Sequence, residues 1–156
     1  MTLVALTTFL TISDSSGVVQ GRFQNSTPGQ VIRLDGFDFP YLPFIYSGAA
    51  KNRTGDNLEA EMVMACNQLA MSYAAEAVQK KWTVVVESCS MNPNDFSVGR
   101  KLTREVWLAA GMGYDSERVN VLLSSGIDAV GASAPARTLT SKLVGALPST
   151  GQISNR

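Results

Sequence analysis

Val31-Ile32-Arg33-Leu34-Asp35-Gly36-Phe37-Asp38-Phe39 is the stretch on which the fold turns. Asp-Gly accepts the positive φ values of a tight two-residue hairpin turn, and the residues flanking it are the β-branched, aliphatic and aromatic types that pack well on a pleated surface. The stretch therefore predicts two antiparallel strands joined at Asp35-Gly36. Pro40 and Pro43 follow and bracket Tyr41 and Leu42. A residue without an N–H cannot donate to a ladder, so a central strand is forbidden there and an edge or an extended crossing segment is expected.

Upstream of the hairpin, Leu3 to Ile12 mixes β-branched, Leu and Phe residues and stops at Asp14-Ser15-Ser16-Gly17, which predicts a strand and a turn. Val18 to Phe23 predicts a second strand, closed by Asn25-Ser26-Thr27-Pro28-Gly29. Downstream, Leu58 to Lys81 admits two readings. Leu58, Met62, Ala65 and Leu69 lie near helical spacing and predict one long helix. Leu58, Ala60, Met62 and Met64 also alternate with Glu59, Glu61 and Val63, which predicts a strand ended by Asn67 and a helix from about Ala70 to Lys80. Trp82 to Met91, β-branched at its centre and stopped by Asn92-Pro93-Asn94-Asp95, predicts a buried strand. Leu102 to Ala109 predicts another, with Gly111-Met112-Gly113-Tyr114-Asp115 as the turn after it and Arg118 to Ser124 as the strand that follows.

These elements add up to one mainly β domain over residues 1–148, barrel- or sandwich-like, with one short α-helix and α+β at most. Beyond Gly126 the spacing of Pro135, Gly145, Pro148 and Gly151 predicts an extended C-terminal segment, with residues 149–156 as a tail that is disordered or lies on a neighbour.

Apolar residues make up 45% of the chain and charged residues 17%, against roughly 25% charged in ordinary soluble domains. Two readings stay open: part of the surface is covered by partners, or the chain is a monomer rich in Ser, Thr, Asn and Gly. Thirteen basic and thirteen acidic residues cancel, and no run of Lys and Arg gathers a local field, so nucleic acid is not an expected partner. No apolar run approaches the roughly 20 residues that cross a bilayer, and the apolar start carries no Lys or Arg before it, so neither a membrane nor a signal peptide is expected.

The chain has no histidine. The commonest general base and metal ligand is therefore missing, and with it Ser-His-Asp and Cys-His arrangements. Clustered carboxylates occur at Asp35 and Asp38 and at Asp56, Glu59 and Glu61. The first pair flanks a hairpin turn and the second alternates along a strand, so neither predicts an acid–base pair or a calcium loop. Cys66 and Cys89 have no metal or redox spacing; buried thiols are the simpler expectation, and a single disulfide stays open. Phe37, Phe39, Tyr41, Phe44 and Tyr46 alternate, which predicts one core-facing side of a strand or, as the rival reading, a sugar-binding platform.

The order of four pieces resembles the lambda-type phage minor tail protein L family. They are the hairpin Val31 to Phe39 running into Tyr41-Leu42-Pro43-Phe44; Ser47-Gly48 before a strand ending at Asn67; the strand Trp82 to Cys89; and Val119-Asn120-Val121-Leu122-Leu123-Ser124-Ser125, leading through Asp128 and Gly131 to Pro135-Ala136-Arg137. The resemblance spans roughly residues 30–140. It implies a hub-adaptor protein of the tail tip or baseplate, a non-enzymatic structural virion subunit. Such a subunit forms a three-fold or six-fold homo-oligomeric ring between the distal tail protein and the central hub, and is assembled in the bacterial host cytoplasm. It also implies Pro135 and Arg137 as candidate assembly contacts, with an ordinary surface arginine after a turn as the rival reading. The iron–sulfur domain of the lambda protein has no counterpart here, because two isolated cysteines cannot supply four thiolates, so no cofactor is expected.

Overall fold

A computed structural model describes residues 4–48 and 59–126. The elements are β1 (Ala5–Ser13), β2 (Val19–Gln24), β3 (Val31–Leu34), β4 (Phe37–Pro40), β5 (Phe44–Ser47), β6 (Glu59–Ala65), α1 (Gln68–Gln79), β7 (Thr83–Met91), β8 (Val98–Tyr114) and β9 (Arg118–Ser124). Seven strands form one antiparallel sheet in the order β2-β1-β7-β8-β9-β6-β5, and β3 and β4 form a separate hairpin. The described residues are mainly β with one helix, as the sequence predicts.

The sheet is not a closed barrel: β2 and β5 are its edges. It curls nonetheless, and the edges meet at one end. Gln24 bridges to Tyr41, the Leu42 N–H donates to the Gln24 carbonyl at 2.9 Å, and Asn25 Nδ2 donates to the Phe44 carbonyl at 3.2 Å. The segment between Pro40 and Pro43 is thus a crossing piece that carries the chain from the hairpin to the edge strand β5.

Alternation along the strands produces two cores. On the concave face, Leu10, Ile12, Met62, Val84, Trp107, Val121 and Leu123 pack against Ala70, Ala74 and Ala77 of α1. Small side chains on that helix face let it lie close to the sheet. On the convex face, Phe9, Cys89 and Met91 are roofed by Ile32, Leu34 and Phe39 of the hairpin. Phe9 and Leu10 are neighbours in sequence and both are buried, so β1 is covered on both sides where the hairpin crosses it. The architecture is sandwich-like there.

The ambiguous stretch is a strand followed by a helix. Ala60, Met62 and Met64 point into the core, and Asn67 caps α1 by accepting the Ala70 N–H on its side-chain oxygen at 2.8 Å. The hairpin turn has the expected backbone, with Asp35 at φ 52° and Gly36 at φ 82°.

Two expectations are corrected. Gly111-Met112-Gly113-Tyr114 is not a turn but the last part of β8, which changes partner from β7 to β9 across an irregular register between Ala109 and Gly111. Glycine at a bulge looks in sequence like glycine at a turn. The actual turn lies at Asp115, whose side-chain oxygen accepts from the Glu117 and Arg118 N–H groups, both at 2.7 Å. The aromatic row does not share one core-facing side either. Phe39 enters the convex core, Phe44 the concave one, and Phe37 is exposed beneath the Arg22 guanidinium, 4.0 Å from its ring centroid. Period two holds only within one strand, and the prolines end that strand between Phe39 and Phe44.

Candidate functional site

The hairpin roofs only part of the convex face. The C-terminal part of β8, with β9, β6 and β5, lies beyond it, and register places their outward side chains in rows. Gly111, Leu122, Glu61 and Ser47 form one row, and Gly113, Asn120, Val63 and Ile45 the next. Val106 and Leu108 continue the surface along β8. Leu122 is 51% exposed, Ile45 69% and Val106 49%, values that belong to a surface rather than a core. Within the two rows Glu61 is the one charged residue.

Glycine shapes this face. A Cβ at Gly111 would meet only the Leu122 side chain, at 3.7 Å, and a Cβ at Gly113 would meet nothing within 4 Å. The two positions leave a shallow trough along β8 beside Leu122 and Asn120, and glycine in a strand interior marks a place where another backbone can approach closely. At the far end the trough opens into a groove of about 590 Å³, lined among others by Tyr41, Pro43, Ile45, Val63, Ala65 and Arg118.

Charge gathers elsewhere, at the hairpin tip. Lys101 Nζ is bonded to Asp35 and, at 3.1 Å, to Glu87, while Arg104 Nε lies 3.6 Å from the same Glu87 oxygen. The Asp35 carboxylate first, and Glu87 with it, raise the Lys101 ammonium above the ordinary lysine pKa. These groups and Arg22 surround a hollow of about 330 Å³ between the tip and the sheet. The acids and bases are committed to each other, and the cluster links the hairpin tip to β7 and β8.

A third polar feature spans the concave side. The Tyr46 hydroxyl of edge strand β5 donates to a Glu105 carboxylate oxygen of β8. Burial, then the hydrogen bond to Glu105 and its charge, push the phenol far above the ordinary tyrosine pKa. The bond ties the free edge of the sheet to its centre. It holds a proton without offering it to a cleft.

The carboxylates singled out in sequence do not converge. Asp35 faces Lys101, whereas Asp38 pairs with Arg33 Nε at 3.2 Å. Glu59 and Glu61 are alternate positions on β6, and Asp56 lies outside the described residues. Cys66 and Cys89 are free thiols associated with different cores. Among the described residues no group of three or more His, Cys, Asp or Glu side chains is placed to hold a metal ion, and no helix is long and apolar enough to cross a membrane. Pro135 and Arg137 lie outside the described residues. The glycine-floored face escaped the sequence reading. Its signal was present in Gly111 and Gly113, spaced by two beside the outward Leu122.

No family model matches the chain, and no curated protein matches it. The fold has a counterpart in a virion. A chain in the virion of a native gene transfer agent particle is similar with a TM-score of 0.55 and 14% identity, over 83% of this chain and 43% of that one. The present chain thus spans less than half the length of that neighbour. At this identity the likeness is one of fold.

Proposed function

We propose that this chain is a structural, non-enzymatic subunit of a tailed-phage-like virion. Within it, the chain is a tail-tip or baseplate hub-adaptor protein of the lambda-type minor tail protein L kind, forming a three-fold or six-fold ring between the distal tail protein and the central hub. The observation that carries the reading is the fold shared with a gene transfer agent virion chain over 83% of the present chain. Three features support it. The chain is short of charge, as suits a subunit whose repeated patches are covered by copies of itself. Its convex face carries exposed Leu122, Ile45 and Val106, and its clustered carboxylates are paired with lysine and arginine or spread along a strand. Pro135 and Arg137 are the proposed contacts across the ring joint, with proline fixing the backbone and arginine reaching a neighbour's carboxylate.

The experiment is a protein inventory of purified particles together with the mass of the isolated chain by light scattering. The expected result is the chain in purified virions and a three- or six-copy species in solution, assembled in the host cytoplasm before incorporation. A one-chain mass at micromolar concentration combined with absence from virions overturns the proposal. The sugar-platform reading loses its basis because Phe39 and Phe44 are buried, in different cores.

A further inference from the structure

We propose that the hollow between the hairpin tip and the sheet is a binding site for a small aliphatic carboxylate, held between the guanidinium groups of Arg22 and Arg104.

Strand order builds the site. β2 and β8 flank β1 and β7 in the sheet, so Arg22 of β2 and Arg104 of β8 reach the hollow from opposite banks. Thr11 of β1 and Val85 of β7, which are register partners, lie between them as its floor. Leu34 and Phe37, one from each strand of the hairpin, supply an apolar wall. The volume is about 330 Å³, at the small end of the range of about 300–1,000 Å³ that ligand sites occupy.

Charge selects the ligand. Arg22, Lys101 and Arg104 line the hollow against two carboxylates, Asp35 and Glu87. Lys101 takes both of those acids, and Arg104 only shares Glu87, at 3.6 Å. Arg22 forms no ion pair among the described residues; Asp38, with which it lines a neighbouring hollow, is held by Arg33. Its guanidinium lies instead over the Phe37 ring, 4.0 Å from the centroid. Stacking fixes the plane of the group and leaves its N–H edge free for a planar acceptor with two oxygens. One positive charge around the hollow is therefore uncompensated, which matches a monoanion, whereas a dianion such as phosphate would meet Asp35 and Glu87 at close range. The apolar wall favours a short hydrocarbon chain behind the carboxylate over a bare inorganic anion. An aspartate or glutamate side chain of a neighbouring chain and a free short-chain acid share that chemistry. The inference concerns the hollow of the single chain and does not depend on the virion reading.

The test is saturation-transfer NMR of sodium butyrate with the full chain at fixed ionic strength. The expected result is a saturable signal in the parent and in Arg33→Gln, which removes an exposed arginine outside the hollow. Affinity should fall about tenfold in Arg22→Gln and in Arg104→Gln, each of which removes a charged hydrogen-bond donor. The Arg104 side chain is 61% exposed, so its variant keeps the fold even where loss of the Phe37 stack disturbs the other. Absence of a saturable signal, equal affinity in the parent and Arg104→Gln, or an equal loss in Arg33→Gln overturns the proposal. Displacement of butyrate by inorganic phosphate at lower concentration than by acetate marks a dianion site and overturns the carboxylate assignment. Light scattering of the same samples identifies the source: a mass that falls as butyrate is added assigns the carboxylate to a second copy, and a constant mass assigns it to another molecule. If the virion reading alone is wrong, the particle inventory fails while butyrate binding persists.

Discussion

The convex face of the sheet is two surfaces with different fates. Over β1 and β7, the hairpin β3–β4 lays Ile32, Leu34 and Phe39 on Phe9, Cys89 and Met91, and all six are buried. Over β8, β9, β6 and β5, Leu122, Ile45 and Val106 stay about half exposed or more, and two glycines take the place of side chains. Both surfaces are built from alternating strand positions. What separates them is reach: each hairpin strand is four residues long, too short to roof a sheet seven strands wide. The covered half contributes to the stability of the fold, and the other half is available for contact.

Phe9→Ala should show the largest effect. The ring is 1% exposed and packs edge-on to Phe39 at a centroid distance of 5.0 Å, and truncating a buried aromatic costs about 3–5 kcal/mol. Urea titration of Phe9→Ala beside Leu122→Ala measures the contrast directly. The second variant should lose less than about half as much, since its side chain is not in a core. Equal losses would mean that the two surfaces are not different in kind.

Tyr46→Phe probes how the free edge of the less covered half is held. Removing the donor leaves Glu105 without its tyrosine partner and should cost about 1–2 kcal/mol at neutral pH. The pH dependence has a definite sign. The folded phenol has a raised pKa, so its contribution is complete below the unfolded value, 10.0, and declines as pH rises above it, because the unfolded chain then releases a proton that the folded chain retains. The stability gap between the parent and Tyr46→Phe should therefore be constant below pH 10 and narrow above it. A gap that widens in alkali would contradict the assigned bond.

Gly36→Ala tests the turn that sets the roof. At φ 82° a Cβ is strained, and the cost is about 1–2 kcal/mol. Hydrogen exchange should quicken at Ile32 and Phe39 more than at Val121. Uniform quickening would show that the hairpin does not open separately from the sheet.

The hairpin was legible in sequence because one dipeptide specified both the turn and the register, and its flanks alternated. The strand Arg118–Ser124 was legible for similar local reasons. Leu58 to Lys81 stayed ambiguous because Ala, Glu and Met serve both periods there; Asn67 decides the matter, but only as a cap whose target N–H is known. Gly111 and Gly113 were misread because glycine signals backbone freedom without saying whether a turn or a bulge uses it. The less covered face was not legible at all. Exposure at Leu122 depends on how far an element ninety residues earlier extends, which no local pattern encodes.

Lys101→Ala carries the smallest expected effect and separates two explanations of the roof. Lys101 joins Asp35 at the hairpin tip to Glu87 in the sheet, so an electrostatic account makes it the latch. Its side chain is 40% exposed and that of Asp35 60%, however, and exposed pairs contribute at most about 1 kcal/mol, less in high salt. The six side chains buried between the hairpin and the sheet expose much apolar area to water when it lifts, a larger loss than that of an exposed ion pair. Lys101→Ala should therefore lower stability by less than about 1 kcal/mol, with the difference shrinking as sodium chloride rises, and should leave Phe9 as protected as in the parent. A loss approaching that of Phe9→Ala would reverse the order of causes and make the hairpin tip, rather than its apolar underside, the reason one half of the face is covered.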